Sequence, residues 1–180
     1  LNKILILTLL ILFTGCAKRT SILDISDEDL KYINELIARP GEEVRFFPSY
    51  DNVPLACTVI HPDKPSKGAI LFIHGLGARS NVYLTLADEF SKNGYIIYLL
   101  DIRGHGYSHG ERGHMPSSDA MGKDINHFYE YVFSIEGSNQ KYIAIGHSLG
   151  TYVWVNTLVS SDIDLDALVL ISGGSINNLD

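Results

Sequence analysis

Four short, unbroken apolar runs, at residues 69–73, 95–100, 142–145 and 167–171, alternate with stretches of helical periodicity. Apolar runs of this length, without polar residues in alternation, fit strands buried on both faces. Between them, Tyr83, Leu86 and Phe90 share one helical stripe, and Met121, Ile125, Phe128 and Val132 share another, each with polar residues opposite. Strands alternating with helices imply a parallel sheet. Ligands and reactive groups gather at the carboxyl ends of such strands, so the loops after Ile73, Leu100, Ile145 and Ile171 are where chemistry is expected.

Ahead of this unit, Glu43 to Phe47 and Val53 to Ile60 read as two strands of an antiparallel hairpin turning through Asp51 and Asn52. Ser26 can cap a peripheral helix over residues 27–38, which Pro40 and Gly41 end. Cys57, inside the second hairpin strand, suits the role of a small buried hydrophobe. With Cys16 as the other cysteine, no disulfide framework follows.

The first residues differ in character. Asn2 and Lys3 precede the apolar run Ile4 to Phe13, and Thr14, Gly15, Cys16 and Ala17 follow. This is a secretory signal layout, and its apolar run is shorter than the roughly 20 residues a membrane-spanning helix needs. It resembles a bacterial lipoprotein lipobox, with Phe13 where that family favours Leu. The resemblance implies that Cys16 is the acylated first residue of an exported, membrane-anchored lipoprotein in the cell envelope. An ordinary cleaved signal with an incidental cysteine is the alternative. The expected organisation is a signal peptide over residues 1–15, a tether and peripheral helix over 16–41, and one α/β domain, in part, over 42–180. A net charge of −7 and the lack of any Lys/Arg block argue against a nucleic-acid partner, because phosphate binding needs clustered cations.

Three motifs occupy the expected loops. Gly146-His147-Ser148-Leu149-Gly150 lies between the 142–145 run and a helix-like stretch at 151–158, which is the strand-turn-helix setting that G-x-S-x-G requires. The glycines permit a sharp turn that lifts a serine oxygen out of the sheet, and the helix N-terminus favours developing negative charge there. His74-Gly75-Leu76-Gly77 follows the 69–73 run, and a glycine-rich bend there can aim a backbone N–H at an oxyanion. By position the two donors are Leu76 and Leu149. His74 is expected to shape its loop by bonding to backbone. Asp101 to Ser108 forms the third motif, in which Asp101, Arg103 and His105 are expected to order the loop through internal hydrogen bonds and an ion pair.

The chain from about Glu43 to Gly174 resembles the monoglyceride lipase and lysophospholipase branch of the α/β-hydrolases, also called serine aminopeptidase-like. The blocks HGLG, DIRGHGYSHG and GHSLG carry the likeness. It implies an α/β-hydrolase fold, Ser148 as nucleophile, Leu76 and Leu149 as oxyanion donors, and lipid-like ester substrates. No metal or organic cofactor is expected, since metal-ligand spacings and a P-loop lysine are both lacking. The oligomeric state is left open.

In this fold the triad runs serine, acid, histidine, yet no histidine follows Ser148. Asp162, Asp164 and Asp166 precede the 167–171 run, at the end away from the chemistry, and Asp180 alone follows it. His147 is expected to point elsewhere, His127 sits on a predicted helix, and His105, His109 and His114 belong to the glycine-rich loop and its continuation. The expectation is therefore an inactive N-terminal portion of a longer ester hydrolase, with the cap and last strands missing and the final strand left as an unpaired edge. Its rivals are a non-catalytic surface lipoprotein on the same scaffold and a peptidase of the same family.

Overall fold

The computed structural model describes residues 42–114 and 116–173. Cys16, the helix expected over 27–38 and Asp180 lie outside the described residues. The strands are β1 (Glu42–Pro48), β2 (Pro54–Ile60), β3 (Ala69–Ile73), β4 (Ile96–Asp101), β5 (Tyr142–His147) and β6 (Ala167–Ile171), and they form one sheet in the order β1-β2-β4-β3-β5-β6. β1 and β2 make the expected antiparallel hairpin, pairing from Glu42 with Ile60 to Pro48 with Pro54. β2 also runs antiparallel to β4, whereas the β3–β4, β3–β5 and β5–β6 pairs are parallel. The parallel pairs are those the apolar runs imply, and hairpin and parallel strands together make the part of an α/β-hydrolase sheet that the resemblance implies.

Among the described residues, three α-helices cover the sheet: α1 (Leu84–Lys92), α2 (Ser118–Glu136) and α3 (Leu149–Val159). One face packs Leu71, Ile73, Tyr98 and Leu100 against Ile125, Phe128 and Val132 of α2 and Val153 and Trp154 of α3. Burying each such side chain contributes about 1.5–3 kcal/mol, so this face holds most of the hydrophobic stabilisation. α2 begins where the Ser117 hydroxyl accepts from the Ala120 N–H at 3.3 Å and ends at Gly137, whose φ of +78° breaks the helical path. Trp154 donates its ring N–H to the Ile145 carbonyl at 3.1 Å, tying α3 to the strand that feeds it.

On the opposite face, Ile70, Phe72, Ile97 and Leu99 pack against Ala87, with Tyr83, Leu84 and Phe90 around them. Here the helical stripe differs from the expected one. Tyr83 closes a 3-10 turn (Ser80–Tyr83) rather than opening the α-helix, and Leu86 is 39% exposed. The small side chain of Ala87 lets α1 lie close to the sheet, and the turn of 3-10 geometry ahead of it rotates Leu86 outward.

The second departure is β6. Its register on β5 is parallel, from Ile143 with Ala167 to His147 with Ile171. Yet Leu168, Val169, Leu170 and Ile171 are 37–45% exposed, so this run is not covered on both faces as its composition suggests. Strand propensity and pairing to β5 form the strand without burial of its faces. Among the described residues β6 is the last strand of the sheet, paired on one side only, by β5. Cys57 is fully buried in β2, and that burial pushes its thiol far above the usual range.

Candidate active site

β3, β5 and β4 all deliver their carboxyl ends to one edge of the sheet, and the three motif loops meet there. Ser148 follows β5 with φ +52° and ψ −112°, a conformation that costs a side-chain-bearing residue about 1–3 kcal/mol. Its N–H donates to the Ile171 carbonyl at 2.9 Å, and its own carbonyl accepts from the Thr151 N–H at 3.0 Å as α3 begins. The side chain is therefore thrust out from the turn, and Ser148 is exposed.

The two glycines of the motif make this turn possible by absence of bulk. A Cβ on Gly146 would stand 2.5 Å from the Gly150 carbonyl oxygen, and one on Gly150 would collide with the carbonyl of Ile73. The start of α3 thus lies directly against the end of β3. Gly75 is confined less severely, since a Cβ there would meet His147 Nδ1 at 3.0 Å and Ser148 Cβ at 3.2 Å. So the Gly75-Leu76 bend abuts the serine. Among the described residues the backbone N–H groups of Leu76 and Leu149 make no hydrogen bond. Such groups beside an exposed serine hydroxyl can stabilise an oxyanion, with the Leu149 amide also at a helix N-terminus.

His74 is completely buried, and it holds the loops rather than the chemistry. Its Nδ1–H donates to the Gly75 carbonyl at 2.7 Å and its Nε2 accepts from the Ile102 N–H at 3.1 Å, which requires the neutral ring. Burial lowers its pKa, outweighing the bond to Gly75 and the nearby Asp101 charge, while His105, 5.5 Å away ring to ring, adds to the lowering. The unfolded chain therefore binds more protons than the folded one below about pH 6.5. Stability is expected to be full above that pH and to fall as the solution is acidified below it. His109, lowered mainly by its own burial, acts in the same direction. Thermal midpoints measured from pH 7.5 to 5 should show the decline, and His74→Asn should flatten it.

The Asp101 to Ser108 loop is ordered by internal hydrogen bonds, as expected, but not by an internal ion pair. The Asp101 carboxylate accepts from the Ser80 N–H at 2.6 Å and the Tyr107 N–H at 2.9 Å, and its carbonyl accepts from the Ser108 hydroxyl. His105 Nδ1 lies 3.1 Å from the Arg103 carbonyl. Arg103 makes its ion pairs outside the loop, to Asp51 in the hairpin turn and to Asp124 on α2. Asp166, as expected, sits at the far end of the sheet, where it accepts from the Tyr142 N–H at 2.8 Å. The ring of His147 turns away from the serine hydroxyl, its Nδ1 lying 2.9 Å from the Tyr83 hydroxyl. Among the described residues no hydrogen bond reaches Ser148 Oγ, and no group of three His, Cys, Asp or Glu side chains is placed to hold a metal ion. Tyr83 was legible only as part of an apolar stripe; nothing in its spacing points to a hydroxyl at the site.

A six-stranded mixed sheet carrying a strained serine between a strand and a helix defines the class as α/β-hydrolase. Solved structures agree on the fold: a thermostable carboxyl esterase from Bacillus coagulans matches at TM-score 0.64 and 20% identity, over 72% of this chain and 44% of that one. A monoacylglycerol lipase from Paleococcus ferrophilus matches at TM-score 0.56 and 28% identity, over 66% and 43%. Within that class, residues 64–176 match the family model described as serine aminopeptidase, S33, and the chain belongs to that family. Its relatives include a monoacylglycerol lipase of Mycolicibacterium smegmatis, 29% identical over 58% of this chain and 37% of the relative. A monoglyceride lipase homolog of monkeypox virus is 27% identical over 68% and 44%. The chain spans less than half the length of these relatives.

Proposed function

We propose that this chain is the nucleophile-bearing part of a serine hydrolase of carboxylic esters, with monoacylglycerols or lysophospholipids as its substrate class. Ser148 is the proposed nucleophile, and the N–H groups of Leu76 and Leu149 the proposed oxyanion donors. The observation that carries this reading is the exposed Ser148 side chain, held at φ +52° against the Gly75-Leu76 bend. In the reaction Ser148 Oγ adds to the ester carbonyl, its proton passing to a base. The tetrahedral oxyanion then collapses to an acyl-enzyme with loss of the alcohol, and water releases the acid. The lipase relatives support the lipid character of the ester.

None of the histidines among the described residues bonds to Ser148 Oγ, and none follows it in the sequence. The proposal therefore assigns turnover to the whole hydrolase and inactivity to these 180 residues alone. Loss of one member of such a triad costs on the order of a millionfold in turnover. The test is labelling with a fluorophosphonate serine-hydrolase probe. The 180-residue chain should label poorly, a longer polypeptide supplying an acid and a histidine after Ser148 should label strongly, and Ser148→Ala should abolish labelling of both. A longer polypeptide that folds but resists labelling would favour the non-catalytic reading. Labelling of the short chain lost in Ser148→Ala would show that a base is present within it. The family's own description keeps a peptidase as the other enzymatic reading, which peptide and ester substrates assayed side by side would separate.

Export and lipid anchoring through Cys16 belong to the same proposal, supported by Asn2, Lys3, the apolar run and Gly15-Cys16. In bacterial cells, incorporation of an alkyne-tagged fatty acid should be lost in Cys16→Ser. Incorporation that persists in that variant would refute the anchor.

A further inference from the structure

We propose that Tyr83 is a positioning residue, its hydroxyl tying the Gly75-Leu76 bend to the serine turn through His147; its bearing on catalysis rests on the Ser148 reading above. Tyr83 ends the 3-10 turn that begins at Ser80, and this turn is fixed to the sheet. The Ser80 N–H donates to Asp101 at 2.6 Å, and the Ser80 and Thr58 hydroxyls lie 3.1 Å apart. The Tyr83 ring packs on Phe72 of β3 at 4.5 Å between centroids and lies 5.8 Å from the His147 ring. Its hydroxyl accepts from the Gly75 N–H at 3.3 Å and lies 2.9 Å from His147 Nδ1.

A phenol carries one proton. With the Gly75 N–H directed at its oxygen, that proton is free for His147 Nδ1, and in the proposed arrangement His147 accepts it there and carries its own proton on Nε2. One hydroxyl thus joins three segments: the end of β3, the 3-10 turn and the residue immediately before Ser148. Gly75 is crowded from the other side as well, since a Cβ there would press on His147 and Ser148 at 3.0 and 3.2 Å. The Leu76 N–H shares its peptide plane with the Gly75 carbonyl, which His74 holds, so Tyr83 on the Gly75 N–H and His74 on the Gly75 carbonyl together fix the bend that aims the Leu76 N–H. An oxyanion donor is effective only when it is held in place before the reaction.

Tyr83→Phe keeps the ring on Phe72 and removes the oxygen. In the full chain labelled with 15N-histidine and 15N-glycine, the His147 imidazole signals are assigned by their loss in His147→Gln. The wild type should show Nε2 protonated and Nδ1 bare. In Tyr83→Phe that preference should disappear, and the Gly75 amide should exchange with solvent about fivefold faster. A wild-type His147 protonated on Nδ1 overturns the proposal even if the variant does not fold, and so do His147 and Gly75 signals that Tyr83→Phe leaves unmoved. These readouts need no turnover. If they appear as expected and no polypeptide carrying Ser148 labels with the fluorophosphonate, the hydrolase reading fails while the Tyr83 link stands. Where Ser148 does label, Tyr83→Phe should slow labelling about tenfold. An unchanged rate, with the His147 signature lost, would refute the positioning role.

Discussion

Arg103→Leu is expected to destabilise the fold by about 3–5 kcal/mol, the cost of stripping one partner from a buried ion pair. The Arg103 guanidinium grips Asp124 with two hydrogen bonds, at 2.9 and 2.6 Å, and Asp51 with two more, at 2.8 and 2.9 Å. It also stands 5.3 Å from the centre of the Tyr50 ring. Asp124 has a side chain only 5% exposed, and among the described residues the Ser49 hydroxyl is its other side-chain partner. Without Arg103 it is a buried carboxylate with no counter-charge. Asp51 is more exposed and its carboxyl, held below the usual range chiefly by the Arg103 hydrogen bond, would return toward water. Since domains of this size are stable by about 5–15 kcal/mol, the loss should appear as a large drop in the urea midpoint. Arg103→Leu combined with Asp124→Leu should recover much of it, because both charges are then gone. Arg103→Lys should fall between, since one ammonium cannot hold two carboxylates by paired bonds.

That cluster marks the boundary of what the chain discloses before it folds. The ion pair of the loop was expected, but its partners lie 52 and 21 residues away, in a hairpin turn and on a helix, and no local pattern names them. The strands were legible because each apolar run must be buried somewhere, and β2 to β5 are. β6 shares the same composition and is exposed, since burial depends on what packs over a strand and not on the strand itself. Leu86 shows the corresponding difficulty on a helix: a single turn of 3-10 geometry ahead of α1 turns the apolar face toward Ala87.

The serine turn was legible for the opposite reason. Its requirements are local: a strand, two residues without Cβ and a helix, all within a few positions of Ser148. His74 was likewise readable as structural from its place at the start of a bend. Tyr83 was not, because its role depends on the ring of His147, 64 residues further along, turning back to meet it.

Gly150→Ala is expected to cost about 3 kcal/mol, the upper end of what an added buried methyl costs, and to disable the site as well. The new Cβ would overlap the carbonyl of Ile73 and approach the His74 carbonyl oxygen at 3.1 Å. Both are backbone atoms of the strand and bend at the centre of the sheet, which cannot swing aside as a flexible side chain can. Relief must come from moving α3 away from β3. That movement carries Leu149 and Ser148 away from Gly75 and Leu76, so the serine and the bend that faces it separate. Gly122→Ala is the matched control. Gly122 lies inside α2, where the nearest atom to an added Cβ is the Thr157 hydroxyl at an ordinary 3.7 Å, and alanine is favoured over glycine in a helix by about 1 kcal/mol. That variant should be neutral or slightly more stable. Urea midpoints of the two variants should diverge in opposite directions from the wild type. In any longer polypeptide that labels at Ser148, Gly150→Ala should lose labelling under conditions where it is still folded, and Gly122→Ala should keep it. Equal stability of Gly150→Ala and the wild type would mean that α3 and β3 are not in the close contact on which the site geometry depends.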